Sequence, residues 1–445
     1  MSPRVVSRRS FVRHASLGAG VMIVKPHVLG RRHQAPSDTA NIACIGVGGM
    51  GANDLRGLKN AGANIVALCD VDDAAAANAY RDNAQAHRYT DFRELFERER
   101  TIDAVSISAP DHLHAAATML ALRAGKHCRT QKPLTRTISE ARAIRDAAAQ
   151  RPRLVTQMGN QGHANDGVRL MREWIEGGLI GTVREVHLWT NRPIWPQAIL
   201  RPTEAHNPRP GFDWNLWLGP AADRPYNPAY APFRWRGWWD CGTGALGDIA
   251  CHSMDAAYWI LELGYPSKIE AECTQLFTET APRSSRVTFS YPARGNRPAV
   301  TVVWRDGGLI PARPAEWADA QWPFGDDGGQ LWVGDNGKLT AGLYAENPRL
   351  LDAARMAEVT ARPLEVRYPR IQGGVYAEFV NGVKNGTPCG SAFSGHAAGL
   401  TEMVLLGCLA QRLGATVDVD PATGRLLTTL PETWVTPQYR QGWRL

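Results

Sequence analysis

Three groups of residues in this sequence have the types and spacing to carry chemistry. The first is Gly46-Val47-Gly48-Gly49-Met50-Gly51, a glycine turn directly after the apolar run Ile42–Ile45. Gly46 permits a tight turn, Gly48, with Gly49 and Met50 beside it, lets backbone approach a pyrophosphate, and Gly51 lets the following helix pack on the strand. That helix, expected to run to about Lys59, aims its positive end at the phosphates. Asp70 closes a second apolar run, Asn64–Cys69, near the spacing of about 20 residues of a ribose-binding acid. A carboxylate there accepts from ribose hydroxyls and repels a 2′-phosphate, so NAD is expected rather than NADP.

The second group is Gln131-Lys132-Pro133, after the apolar stretch His127–Thr130. A lysine at the carboxyl end of a strand, fixed by a proline, is placed to face the nicotinamide and its substrate. The third is Gly242–Asp255, in which Asp248 and His252 are four apart and share a helix face. An acid beside an imidazole is what proton transfer with a sugar hydroxyl needs. On this reading Asp248 orients His252, and Lys132 meets both across a cleft. Pro110 and His114 are expected near the cofactor, with Asp111 capping a helix and His112 on the surface.

The elements that must position these groups follow the same pattern. Apolar runs of four to six residues alternate with helical stretches through residue 157, which describes a parallel sheet flanked by helices. The expected helices include Asp73–Gln85 and Arg93–Glu99, and the strand Ala104–Ser108 leads into another at Pro110. Thr156–His163 is polar and glycine-rich and is expected to cross between domains, before a helix at Gly167–Glu176. Alternation at Val183–Thr190, Lys268–Gln275, Ser285–Tyr291, Pro298–Trp304 and Gln330–Gly334 describes an open, mostly antiparallel sheet. The fold class is therefore a nucleotide-binding α/β domain (38–157) plus an α+β domain (158–372), with closing helices and an arm at 373–445. Seven of the 15 tryptophans fall between Trp189 and Trp239. Their faces suit either stacking on sugar rings or packing of a long loop, and residues 307–329 are expected to form a substrate-side loop.

Four motifs in this order, Gly46–Gly51, Cys69-Asp70-Val71-Asp72, Pro110-Asp111-His112-Leu113-His114 and Gln131-Lys132-Pro133, resemble those of the Gfo/Idh/MocA oxidoreductases. The likeness extends over most of the chain from Asn41 to about residue 415. It implies a Rossmann domain, NAD as cofactor, a carbohydrate-like substrate, homodimers or homotetramers, and catalytic roles for Lys132, Asp248 and His252. The family's usual Glu-Lys-Pro is departed from at Gln131, which keeps hydrogen bonding but removes a charge. Relatives that cleave glycosides with NAD carry a different histidine motif; redox-assisted glycoside cleavage and sugar sensing stand as alternatives to a plain dehydrogenase.

The formal net charge of +7 does not describe the folded part, because residues 1–37 carry seven basic residues and no acid. No nucleic-acid partner is expected. Ser7-Arg8-Arg9-Ser10-Phe11-Val12 has the form of a twin-arginine export signal, followed by an apolar stretch too short to span a membrane in the mature protein. Export to the periplasm is expected. Eight cysteines without a CxxC pair argue against a zinc site, and no metal is expected; Cys44 and Cys69 belong to buried strands, while a disulfide among the rest is allowed.

Overall fold

The computed structural model describes residues 39–317 and 327–445; the twin-arginine segment and part of the loop 307–329 lie outside the described residues. Six strands, β1 (Asn41–Ile45), β2 (Asn64–Cys69), β3 (His87–Tyr89), β4 (Ala104–Ile107), β5 (His127–Thr130) and β6 (Thr156–Met158), form a parallel sheet in the order β3-β2-β1-β4-β5-β6. The order reverses between β1 and β4, and ligands bind at the carboxyl ends of strands at such a reversal. Ile42, Ala43 and Val105 have no solvent exposure, as expected of strands covered on both faces.

Two strands depart from the sequence reading. Thr156–Met158, assigned to the domain crossing, instead pairs with Cys128–Thr130 and forms the edge of the sheet. His87–Tyr89 pairs with Ala67–Cys69. Both are three residues long, too short to show a period. The helix expected over Asp73–Gln85 ends at Asp82, because Asn83 leaves helical geometry and donates its side-chain amide to Ala79 O at 2.8 Å.

The second sheet contains β7 (Val183–Thr190), β8 (Lys268–Cys273), β9 (Ser285–Tyr291), β10 (Val300–Arg305), β11 (Gly328–Gly334), β12 (Gly337–Gly342), β13 (Arg349–Leu350) and β14 (Val417–Asp418). Its order is β13-β12-β11-β7-β10-β9-β8-β14, antiparallel except for the neighbours β7 and β10. Val287 and Phe289, two residues apart in β9, point inward with no exposure. They meet the helices Gly244–Ile260 and Ala398–Leu413, which cover one face of the sheet. The stretch Phe393–Leu413 is long and apolar enough to cross a membrane by length and composition, and its apolarity serves this core instead: 78% of its 18 most apolar consecutive residues are buried inside the protein. Helix Gly374–Asn385 turns back to the first domain, placing Phe379 and Val380 in one core with Leu55 and Leu58. Ala40–Leu445 thus forms one compact unit.

The tryptophan-rich segment builds a small core of its own. Trp217, Trp235 and Trp238 are buried with Phe212 and Tyr230, and Trp214 stacks on Trp217 at 4.8 Å. Packing of the long loop is therefore the main task of these rings. All eight cysteines are free thiols, so the allowed disulfide does not form.

Candidate active site

A cleft of about 590 Å³ runs from the glycine turn to the helix Gly244–Ile260. At the turn, Gly46 has φ 74° and Gly49 φ 50°, left-handed values that favour glycine. A Cβ on Gly51 would lie 1.9 Å from Gly46 O, which is the close helix–strand approach expected of it. A Cβ on Gly48 would instead strike Ala75, so this glycine makes room for the neighbouring helix Asp73–Asp82. Among the described residues, a Cβ at Gly49 would meet nothing within 4 Å and no side chain caps the helix Met50–Asn60. Bare backbone at the positive end of a helix fits a pyrophosphate.

Asp70 lines the cleft at the end of β2, but its carboxylate does more than wait for a ribose. Oδ2 accepts from Val47 N at 2.8 Å and Gly48 N at 3.2 Å, and Oδ1 accepts from Asp72 N at 3.0 Å. It therefore braces the glycine turn, while burial pushes its carboxyl above the ordinary range. Pro110 and His114 also line the cleft. The His114 ring bridges Pro133 O at 2.7 Å and Ala109 O at 2.8 Å, joining the ends of β4 and β5 rather than reaching for a ligand.

At the far end the two halves of the molecule meet. Lys132 Nζ donates to Asp248 Oδ1 at 2.9 Å and to the Asp248 carbonyl at 2.7 Å. His252 lies one helical turn beyond and also lines the cleft. The expected Asp248–His252 orienting bond is absent among the described residues: Asp248 Oδ1 is taken by Lys132 and by Arg236 Nε at 3.2 Å. The carboxylate is turned toward these two cations rather than toward the ring. Burial raises the Asp248 carboxyl, yet Lys132 and Arg236 outweigh it and hold it down at about 2. Burial and Lys132 together push the His252 imidazole down to about 3, so the ring is neutral. Its Nδ1 is buried without a partner among the described residues, and its ring centroid lies 4.7 Å from that of Tyr344.

Gln131 is anchored from below. Its amide donates to both oxygens of Asp54, at 3.1 and 2.8 Å, and its Oε1 accepts from Lys132 N at 3.2 Å. Asp54 further accepts from Ser108 Oγ and Tyr376 OH and pairs with the fully buried Arg129 at 3.1 Å. The negative charge missing at position 131 thus stands one hydrogen bond away.

Two expectations for the Pro110 motif are corrected. Asp111 does not cap its helix; it is buried in the first turn and accepts from Thr243 Oγ1 at 2.8 Å. Burial and the nearby Asp248 push its carboxyl up to about 7. His112 is buried between the carbonyls of Trp217 and Cys241, where it ties the tryptophan segment to the first domain.

Sequence reasoning missed Arg236, Tyr344 and a group behind the site. Arg236 lies over the rings of Trp235 at 4.4 Å and Phe233 at 5.0 Å, in the 3-10 turn Arg234–Gly237, which is too short to show a period. Behind His252, Asp255 accepts from Asn160 Nδ2 at 2.5 Å, His163 Nδ1 at 3.1 Å and His396 Nε2 at 2.6 Å. Two histidines and an acid have metal-ligand chemistry, but here each nitrogen is at hydrogen-bond distance from the carboxylate itself. The group knits the crossing segment and the π-helical turn Phe393–Ala397 to the helix Gly244–Ile260. The Asp248–His252 spacing was a usable signal for the site; the i, i+7 position of Asp255 extends the same stripe.

Comparison with known proteins agrees with this architecture. The family described as "Oxidoreductase family, NAD-binding Rossmann fold" matches residues 40–158, and its C-terminal alpha/beta domain matches 182–297. The chain belongs to the Gfo/Idh/MocA oxidoreductase family. An inositol 2-dehydrogenase/D-chiro-inositol 3-dehydrogenase of Lacticaseibacillus casei is 33% identical over 156 residues, 34% of this chain and 45% of the relative. A levoglucosan dehydrogenase of Pseudarthrobacter phenanthrenivorans is 29% identical over 194 residues, 44% of this chain and 42% of the relative. The chain thus matches less than half the length of these relatives. Levoglucosan dehydrogenase in complex with NADH shares the fold at TM-score 0.59 and 19% identity, covering 86% of this chain and 99% of that one. The WlbA dehydrogenase of Bordetella pertussis, solved with NADH and UDP-GlcNAcA, does so at TM-score 0.58 and 16% identity over the same shares.

Proposed function

We propose that this protein is an NAD-dependent oxidoreductase acting on a hydroxyl carbon of a sugar, sugar-like polyol or glycoside. The observation that carries this reading is the one cleft whose walls include Gly49 and Asp70 at one end and Lys132, Asp248 and His252 at the other. NAD, when bound, supplies the acceptor or donor of hydride. Gly49 and the uncapped helix Met50–Asn60 would hold its pyrophosphate, and the acids Asp70 and Asp72 favour it over a 2′-phosphorylated cofactor.

The chain's own residues handle the proton. Lys132 Nζ uses two of its three donor positions on Asp248 and keeps one for a substrate oxygen. The neutral His252 ring offers a lone pair to the hydroxyl proton in the oxidising direction. Asp248 positions Lys132, and through it the oxygen, rather than the imidazole. Trp195, Trp217 and Trp235 contribute to the cleft lining, an apolar surface suited to sugar C–H groups, and Arg192 and Arg236 supply donors to hydroxyls. Among relatives, inositol and levoglucosan dehydrogenases support a substrate of this class.

The same proposal includes export by the twin-arginine route, from Arg8-Arg9, and assembly into dimers or tetramers through the open sheet. In an exported enzyme the cofactor is retained and a second substrate reoxidises it. The test is to denature the purified protein, identify the released nucleotide, and follow the reduced-nicotinamide absorbance of the native protein while sugars and polyols are added. Bound NAD that is reduced by one sugar class is expected; cleaved glycoside with no net reduction would instead point to redox-assisted hydrolysis. No response to any sugar overturns the reading.

A further inference from the structure

The cleft has a wall from an element that neither the glycine turn nor the catalytic helix explains. Trp443, far along the chain, lines it together with Asp70, Val71, Asp91 and Phe92. In a sheet of this order the acid ending β2 marks the adenosine ribose, so the ends of β2 and β3 flank the base. Trp443 therefore stands at the end of the cleft opposite Lys132 and His252.

The indole is held on two sides. Its ring meets Phe92 edge-on at 5.7 Å, and the Arg93 guanidinium lies over it at 4.4 Å. The segment that carries it is tied down independently. Tyr439 OH donates to Glu140 Oε1 at 2.5 Å, and Arg123 Nη2 donates to Leu445 O at 2.9 Å. Arg440, between them, donates to Gly219 O at 2.5 Å and to Asp223 Oδ1 at 2.6 Å, with its side chain 13% exposed. Glu140 and Arg123 belong to the first domain, whereas Gly219 and Asp223 follow the helix Trp214–Leu218, whose Trp217 is another cleft wall.

A second crossing lies beside it. Asp213 N donates to Val71 O at 2.8 Å, Asp73 N donates to Gly211 O at 2.9 Å, and Arg209 pairs with Asp72. Residues 209–213 are thus fastened by main chain to the loop that follows β2. Two segments from outside the parallel sheet close over the same end of the cleft.

We infer that the segment Tyr439–Leu445 completes the adenosine end of the dinucleotide site, with Trp443 as its aromatic wall, so that bound nucleotide leaves only when this segment lifts. The inference rests on the proposed NAD-dependent function and adds a binding residue and a cause for retention. An indole face is a sequence-tolerant platform for a purine, and loss of one such stack weakens binding about tenfold or more.

The experiment compares the full-length protein with Trp443→Ala, Trp443→Phe and Arg440→Ala. Each is loaded with NADH, and the decay of its bound fluorescence is followed after a large excess of NAD is added, with no sugar present. Dissociation at least about tenfold faster is expected for Trp443→Ala, near parental for Trp443→Phe, and intermediate for Arg440→Ala, which loosens the anchor and keeps the ring. Equal rates for parent, Trp443→Ala and Arg440→Ala overturn the inference, as does a folded parent that binds no NADH. Because no turnover is read, these outcomes are separate from a parent that holds nucleotide yet responds to no sugar, which overturns the function instead.

Discussion

Gln131 and Asp54, 77 positions apart, share a buried hydrogen bond of 2.8 Å next to Lys132, whose backbone N donates to Gln131. An amide, not an acid, is the partner that this carboxylate requires. Arg129 supplies a single compensating charge at 3.1 Å, and despite burial it keeps the Asp54 carboxyl below the ordinary range. Gln131→Glu, which restores the motif usual in relatives, is expected to destabilise the protein by ~1–3 kcal/mol through a second buried carboxylate. Asp54→Asn on top of it is expected to recover most of that loss. Denaturant melts of the four-member cycle check this, and additive effects would show that the two side chains do not interact.

Removal of the amine should affect chemistry more than binding. Lys132→Ala is expected to lower kcat by ~10²–10⁴-fold while the purified protein still carries nucleotide. Single-turnover reduction of the bound cofactor measures this directly. A variant that turns over at the parental rate would remove Lys132 from the mechanism.

Arg236 should set affinity and alignment together. Its Nε fixes Asp248 at 3.2 Å while its guanidinium forms part of the cleft wall among Trp195, Phe233 and Trp235. Arg236→Lys keeps a charge but loses the flat stacking surface, and is expected to raise KM for the sugar about tenfold with a smaller fall in kcat. Initial rates across substrate concentration separate the two constants, and an unchanged KM would place Arg236 outside the sugar site.

Asp111 and His252 give stability opposite slopes with pH. The Asp111 carboxyl, raised to about 7, keeps a proton in the fold that the unfolded chain releases near 3.9; its contribution is full below that value and lost as pH rises through about 7. His252, lowered to about 3, is neutral in the fold, whereas the unfolded chain binds a proton below about 6.5; its contribution is present above 6.5 and lost as pH falls toward 3. Asp111→Asn should therefore gain in Tm on its parent as pH rises from about 5 to about 8, and His252→Asn should gain as pH falls from about 7 to about 5. Thermal melts across this range read both differences, and flat difference curves would contradict the assigned environments.

What the sequence showed of this architecture had local causes. Gly46–Gly51 was readable because its glycines follow an apolar run at the spacing of a strand–turn–helix, and Asp248 and His252 because one helical turn relates them; the demands on Gly46 and Gly48 come from Ser108 and Ala75, distant in sequence. Asp70 was correctly placed at a strand end, but its bonds to Val47 and Gly48 depend on how the turn folds back, which spacing does not encode. Arg236, Asp54 and Trp443 were illegible for a common reason. Each acts through a partner brought near only by tertiary packing, and each sits in a loop or helix whose own pattern is unremarkable. His112 misled because an isolated histidine after Pro-Asp has no signal for burial; its two carbonyl partners come from a segment more than 100 residues away.

The helix Gly244–Ile260 presents Asp248 to Lys132, His252 to the cleft, and Asp255 to a pair of histidine rings, all along one stripe. Inserting or deleting one residue there would rotate everything downstream by about 100°, carrying imidazole and acid away from their partners in a single step. Substitutions can tune this site piecemeal, but a change of phase in that helix would uncouple it all at once, and length rather than identity is the least negotiable property of the segment.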